Sequence, residues 1–179
     1  MRLFLYISIS FYFFISLLFA EETRQVDKHE HGVGELNIAI QSNTMVLEFM
    51  IPGADIVGFE YEAKSEQDKA TVNAALTKFD DYNNIFIIPT NSKCLLVSSK
   101  ININQEDDHD EHQEEAHNEF YAKYTFECGD IKSLDLLEFP YFETFSNSGE
   151  LEVQFVSEIG STSFEVEADS PIINIEGKI

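Results

Sequence analysis

The sequence predicts an α+β fold: mainly antiparallel β hairpins and sheets, with one clear α-helix packed on a sheet. Three observations predict it. Apolar and polar residues alternate in several runs separated by short polar turns, the period of a half-buried strand. Only residues 65–79 place apolar side chains at helical spacing. At 179 residues, 44% apolar and 13% aromatic, the chain can bury a core, which excludes wholesale disorder.

Residues 1–20 read as an export signal peptide. Arg2 is the only charge, Leu3 to Phe19 is apolar apart from Ser8, Ser10 and Ser16, and Glu21-Glu22 end the run. Cleavage after Ala20 is expected. An uncleaved anchor is the alternative, since 17 residues at about 1.5 Å each nearly span the hydrocarbon layer. Either way the lone cation stays inside and the rest is exported. Asn-x-Ser/Thr triplets are absent, which favours a bacterial periplasm over a eukaryotic secretory route. Residues 21–31 are a polar, flexible segment, and 32–179 are read as a single domain.

The first ordered element is a hairpin. Leu36, Ile38 and Ile40 share one face, then Met45, Leu47, Phe49 and Ile51 follow a Gln-Ser-Asn-Thr connection. Pro52-Gly53 ends its second strand. The helix follows, with Ser65 as N-cap, Glu66 and Asp68 in the first turn, and Val72, Ala75, Leu76 and Phe79 on one stripe. Ile85–Ile88, Leu95–Ile103 and Glu119–Cys128 read as strands. Ile131–Phe145 reads as a short helical turn plus a buried extended segment. A last hairpin turns at Gly160-Ser161 between Leu151–Phe155 and Phe164–Ala168, and Ile172–Ile175 forms the final strand.

Cys94 and Cys128, in an exported chain, read as one disulfide; two free thiols or a pair of metal ligands are the alternative. If they face one another on antiparallel strands, Asn104 stands opposite Asn118 and residues 105–117 form a hairpin tip. Leu96 would then share the Cys94 face while Val97, Ile101 and Ile103 lie on the other. A bulge near Ser98-Ser99 would restore the phase.

Charge narrows the partners. The chain carries 11 Lys+Arg against 33 Asp+Glu, a net charge of −22. Sequence-independent nucleic-acid binding needs clustered cations and is excluded. Anionic membrane surfaces repel such a chain, so no membrane association is expected after signal cleavage. Metal cations are what this field concentrates.

All five histidines fall in two clusters. His29 and His31 are two apart just before the first strand, so an extended backbone sets both on one side. Residues 105–117 hold His109, His112 and His117 among three Asp and four Glu. His109 and His112 would share a face of a helical turn, with Asp108 four residues before His112. Zinc suits this donor set best, because it takes imidazole nitrogen and carboxylate oxygen at similar distances. Dense carboxylates can also accept the imidazole N–H groups. The bland alternatives are a solvated acidic loop and a disordered tail. A loop that must order itself around an ion predicts several weak sites.

No Gly-x-Ser-x-Gly, Walker A, His-Glu-x-x-His or dinucleotide fingerprint occurs, so no catalytic constellation is supported. Three rivals remain at this level. One is an exported metal-dependent hydrolase. Another is an acidic envelope protein with incidental metal binding. The third is copper or nickel specificity, since imidazole sites take both.

Several stretches taken in order resemble the ZrgA-type periplasmic zinc-uptake proteins. These are His29-Glu-His-Gly32 leading into Leu36–Ile40, Ile51-Pro52, Ile56-Val-Gly-Phe-Glu60 and Cys94. The His/Asp/Glu insertion, Tyr-Thr-Phe-Glu-Cys128 and Leu151-Glu-Val-Gln154 continue it. The resemblance spans roughly residues 27–168. It implies a non-enzymatic, exported zinc-binding protein of Gram-negative bacteria assisting high-affinity zinc import. It also implies a partner, the solute-binding protein of an ABC-type zinc transporter. Carried over, the candidate zinc ligands are His29, His31, His109, His112 and His117, with Asp108 and Asp110 as weaker candidates. The insertion here is shorter and holds fewer histidines than strongly His-rich members carry.

Overall fold

The computed structural model describes residues 32–105 and 118–179. The expected hairpin forms from β1 (Val33–Gln41) and β2 (Thr44–Pro52), with Ile38 opposite Leu47. Its turn is as tight as a hairpin allows: Gln41 stands opposite Thr44 and Ser42 adopts φ 54°. Leu36, Ile38, Ile40, Met45, Leu47, Phe49 and Ile51 are all buried, so alternation marked the core face correctly.

Four further strands complete a six-stranded sheet: β3 (Cys94–Gln105), β4 (Asn118–Cys128), β6 (Glu150–Ser157) and β7 (Gly160–Glu167). The order is β3-β4-β2-β1-β6-β7. Most neighbours are antiparallel, as expected, but β1 and β6 run parallel, and the sheet is therefore mixed. A parallel pair needs a crossover of a dozen or more residues. Residues 129–149 supply it, carrying the short β5 (Leu136–Glu138) and the one-turn α3 (Tyr141–Thr144). β8 (Ile172–Asn174) pairs with β5 in a separate two-stranded sheet.

The helix begins where the capping argument places it. In α2 (Glu66–Asp80) the Ser65 Oγ accepts the Asp68 N–H at 3.0 Å. Ala75 and Phe79 are buried, and Val72 and Leu76 pack at the margin of the core. Phe79 stacks on Phe120 at 6.1 Å and on Phe145 at 4.9 Å, and its carbonyl accepts the Tyr124 hydroxyl. Burying one such ring contributes roughly 1.5–3 kcal/mol. A second, shorter helix, α1 (Gly53–Val57), follows β2 directly and ends on Gly58 in the left-handed region, at φ 82°.

Three local expectations are corrected. Ile85–Ile88 is not a strand: Ile85 and Phe86 are both fully buried, and only Ile87 bridges to Glu138. Consecutive buried side chains cannot alternate across a strand with one covered face. The bulge in β3 lies between Leu96 and Ser98, and it brings Ile101 and Ile103 onto the Cys94 face, opposite Ala122 and Phe120. Its extra residue moves the later register by one, so Asn104 faces Glu119 and Gln105 faces Asn118. Gln105 therefore belongs to β3 rather than to the tip. The last hairpin turns at Glu158-Ile159, since Ser157 already pairs with Gly160. Cys94 and Cys128 are joined by a disulfide, as expected.

Candidate metal-binding region

β2 lies between β4 and β1, and its C-terminal end therefore borders the N-terminal ends of both neighbours. Pro52 faces Glu119 and Met50 faces Glu35. The first residues of β1 and β4 stand two strand spacings apart, roughly 10 Å. His31 is bonded to Gly32 just ahead of β1, and His117 to Asn118 at the start of β4. Two segments 86 positions apart in sequence (31 to 117) thus join the fold at one end of one sheet.

Helix α1 and the loop that follows it hold Gly32 and Asn118. The Gly32 N–H donates to the Asp55 Oδ1 at 2.8 Å, and the Gly32 carbonyl accepts the N–H groups of Gly149 and Glu150, each at 2.8 Å. On the other side the Asn118 N–H donates to the Glu60 carbonyl at 2.8 Å, and its side-chain amide donates to the Tyr61 carbonyl. Gly53 sits between. A Cβ there would meet the Phe59 carbonyl oxygen at 2.7 Å and the Asn118 carbonyl oxygen at 2.9 Å, so only glycine permits this approach.

The electrostatic setting is anionic. On the solvent face of the sheet, Glu165 stands opposite Glu152 and Glu152 opposite Glu35, while Glu150 faces Glu167. Like charges directly opposed on neighbouring strands repel, and a cation relieves them. A groove lined by Gly32, Val33, Gly149, Glu150, Glu167 and Asp169 opens at the start of β1. Asp55 differs from these carboxylates in being 2% exposed. Nearby Tyr141 donates or accepts a hydrogen bond with Ser148, and its phenol is pushed well above the ordinary value. Burial is the main cause; the Ser148 bond opposes it and the Asp55 charge adds to it.

A family model described as ZrgA family zinc uptake protein matches residues 28–175. The chain belongs to that family. No curated protein matches it. The ZrgA match begins at Lys28 and therefore takes in His29, His31, the insertion and both cysteines.

Every metal ligand expected from the sequence, His29, His31, Asp108, His109, Asp110, His112 and His117, lies outside the described residues. Among the described residues, no group of three or more His, Cys, Asp or Glu side chains is placed to hold a metal ion. What the structure contributes is the placement of Gly32 and Asn118, the points at which histidine-bearing chain is attached. Sequence reasoning read Gly53 only as the end of a strand and Asn118 only as a strand position, and did not single out Asp55. The one signal for Asp55 was a lone acid in the otherwise apolar run Ile51–Val57.

Proposed function

We propose that this member of the zinc uptake family captures Zn²⁺ in the periplasm and passes it to the solute-binding protein of an ABC-type importer, without catalysing a reaction. Capture uses His29 and His31 at the first strand and His109, His112 and His117, with Asp108 and Asp110, in the insertion. The observation that carries this reading is the anchorage of Gly32 and Asn118, the residues to which the two histidine-bearing segments are joined, on α1 and the loop after it. Donors that begin from one end of a sheet can exchange an ion without the domain rearranging. Imidazole and carboxylate ligands suit zinc, and the acidic sheet face raises the local cation concentration. Weak sites release ions quickly, which serves transfer rather than storage.

Titration calorimetry of the chain from Glu21 onward, beside a variant lacking residues 105–117 and a His29→Ala/His31→Ala variant, tests the assignment. Each variant is expected to lose part of the zinc stoichiometry. Unchanged stoichiometry in both would contradict it.

A further inference from the structure

The six-stranded sheet ends in two edge strands, β3 and β7, and they are built differently. β3 carries features that keep an edge from pairing: a bulge between Leu96 and Ser98, and Lys100 in mid-strand. β7 carries neither. It stays in unbroken register with β6 from Gly160 to Glu167 and contains no Pro or Lys. We propose that the outer edge of β7 is a docking site for a partner protein, which adds an extended segment with cationic residues on one face and apolar residues on the other.

The backbone of β7 is available for this. Opposed residues on antiparallel strands alternate between hydrogen-bonded and non-hydrogen-bonded pairs. The Ala168 N–H donates to the Gly149 carbonyl at 3.1 Å, continuing the β6–β7 ladder by one pair. The same parity turns the N–H and C=O groups of Val166, Phe164 and Thr162 toward β6, and those of Ser161, Ser163 and Glu165 outward. Ser161, Ser163 and Glu165 are exposed, and among the described residues no strand of the sheet lies beyond them.

Side-chain chemistry selects the occupant. β1, β6 and β7 carry Glu35, Glu150, Glu152, Glu165 and Glu167, and no Lys or Arg. Glu165 stands opposite Glu152 and Glu152 opposite Glu35, so a cation on an added strand beside Glu165 extends a row of carboxylates. On the core face, Phe164 is only half-buried. It meets Phe155 edge-to-face at 6.4 Å, and the Lys178 ammonium lies 5.8 Å from its ring centre. An apolar residue on the added strand covers more of that ring. A second copy of this chain fits poorly. Pairing β7 with β7 brings together two strands whose only charges are carboxylates, and the bulge breaks β3 as a counterpart.

The chain from Glu21 onward, labelled with ¹⁵N, is titrated with a synthetic peptide alternating Lys with Val, and with the same peptide carrying a central Pro. The alternating peptide is expected to shift the amide resonances of Ser161, Ser163 and Glu165 and to slow their hydrogen exchange. Ser163→Pro removes an outward N–H and spares the β6 ladder, since edge positions tolerate Pro; Glu165→Lys reverses the local charge. Each variant, and the Pro-bearing peptide, is expected to weaken binding about tenfold. Equal binding of the two peptides, or amide changes confined to other acidic segments, reduces the effect to charge attraction and overturns the docking site. No binding of the alternating peptide to the unaltered chain overturns it as well. Protection of the same amides at high protein concentration without peptide assigns the edge to a second copy and overturns the basic partner.

Discussion

The Asn118 backbone N–H donates to the carbonyl of Glu60 at 2.8 Å, and so the residue that follows His117 is clamped to the loop after α1. That clamp depends on how closely the backbone at Gly53 approaches Asn118 and Phe59. The first prediction concerns this contact. Gly53→Ala forces a methyl against two carbonyl oxygens, neither of which is a flexible side-chain end. A cost of about 1–3 kcal/mol is expected, as for overpacking elsewhere. A lowered midpoint in urea unfolding would bear this out, and an unchanged midpoint would count against the close approach.

The disulfide gives a second expectation. Cys94 and Cys128 are separated by 34 positions and close the end of the β3–β4 ladder. On the chain-entropy account, a loop of that length stabilises the fold by roughly 3–4 kcal/mol. Replacing both cysteines with alanine should lower the unfolding free energy by that order, and dithiothreitol should do the same to the unaltered chain. A difference below about 1 kcal/mol would mean that β3 and β4 remain associated in the unfolded ensemble.

Alkaline pH supplies a third. Tyr124 and Tyr141 are fully buried, and both phenols are held well above their ordinary value of 10.0, with burial the leading cause in each. Above pH 10 the unfolded chain releases these protons while the folded chain keeps them. Stability is therefore intact below that point and falls as pH rises through it, by up to about 1.4 kcal/mol per pH unit for each phenol. Absorbance at 295 nm should show these two tyrosines ionising only as the protein unfolds. Tyr141→Phe should flatten the alkaline loss while forfeiting the bond to Ser148, worth about 1 kcal/mol.

Much of the fold was legible because side-chain period and capping chemistry are local. The β1–β2 hairpin, the Ser65 cap and the rephasing of Ile101 and Ile103 all follow from residues close in sequence. Strand direction is not local. Leu151, Val153 and Phe155 alternate identically whether β6 runs with or against β1, and only the path of residues 129–149 decides it. Ile85 and Phe86 misled because a short apolar run looks the same in a strand and in a buried coil. Within the candidate region the histidines were visible as residue types, but their common anchorage was not. It arises from β2 lying between β1 and β4, and from a buried aspartate that looked like one more acid in a chain of 33 acidic residues.

A fourth prediction separates carrier from store. Zinc-loaded protein mixed with a metal-free solute-binding protein of a zinc importer should lose its metal within the mixing time. Deletion of residues 105–117 should slow or reduce that transfer. Zinc that remains bound in the presence of the acceptor would indicate storage.

Metal content after exhaustive dialysis tests the central claim most directly. The chain from Glu21 onward, stripped with chelator and then equilibrated against micromolar zinc at neutral pH, is expected to hold at least one ion per molecule. It should hold fewer when His29 and His31 are replaced. A stripped protein that comes back from that dialysis with no zinc above buffer would contradict the account.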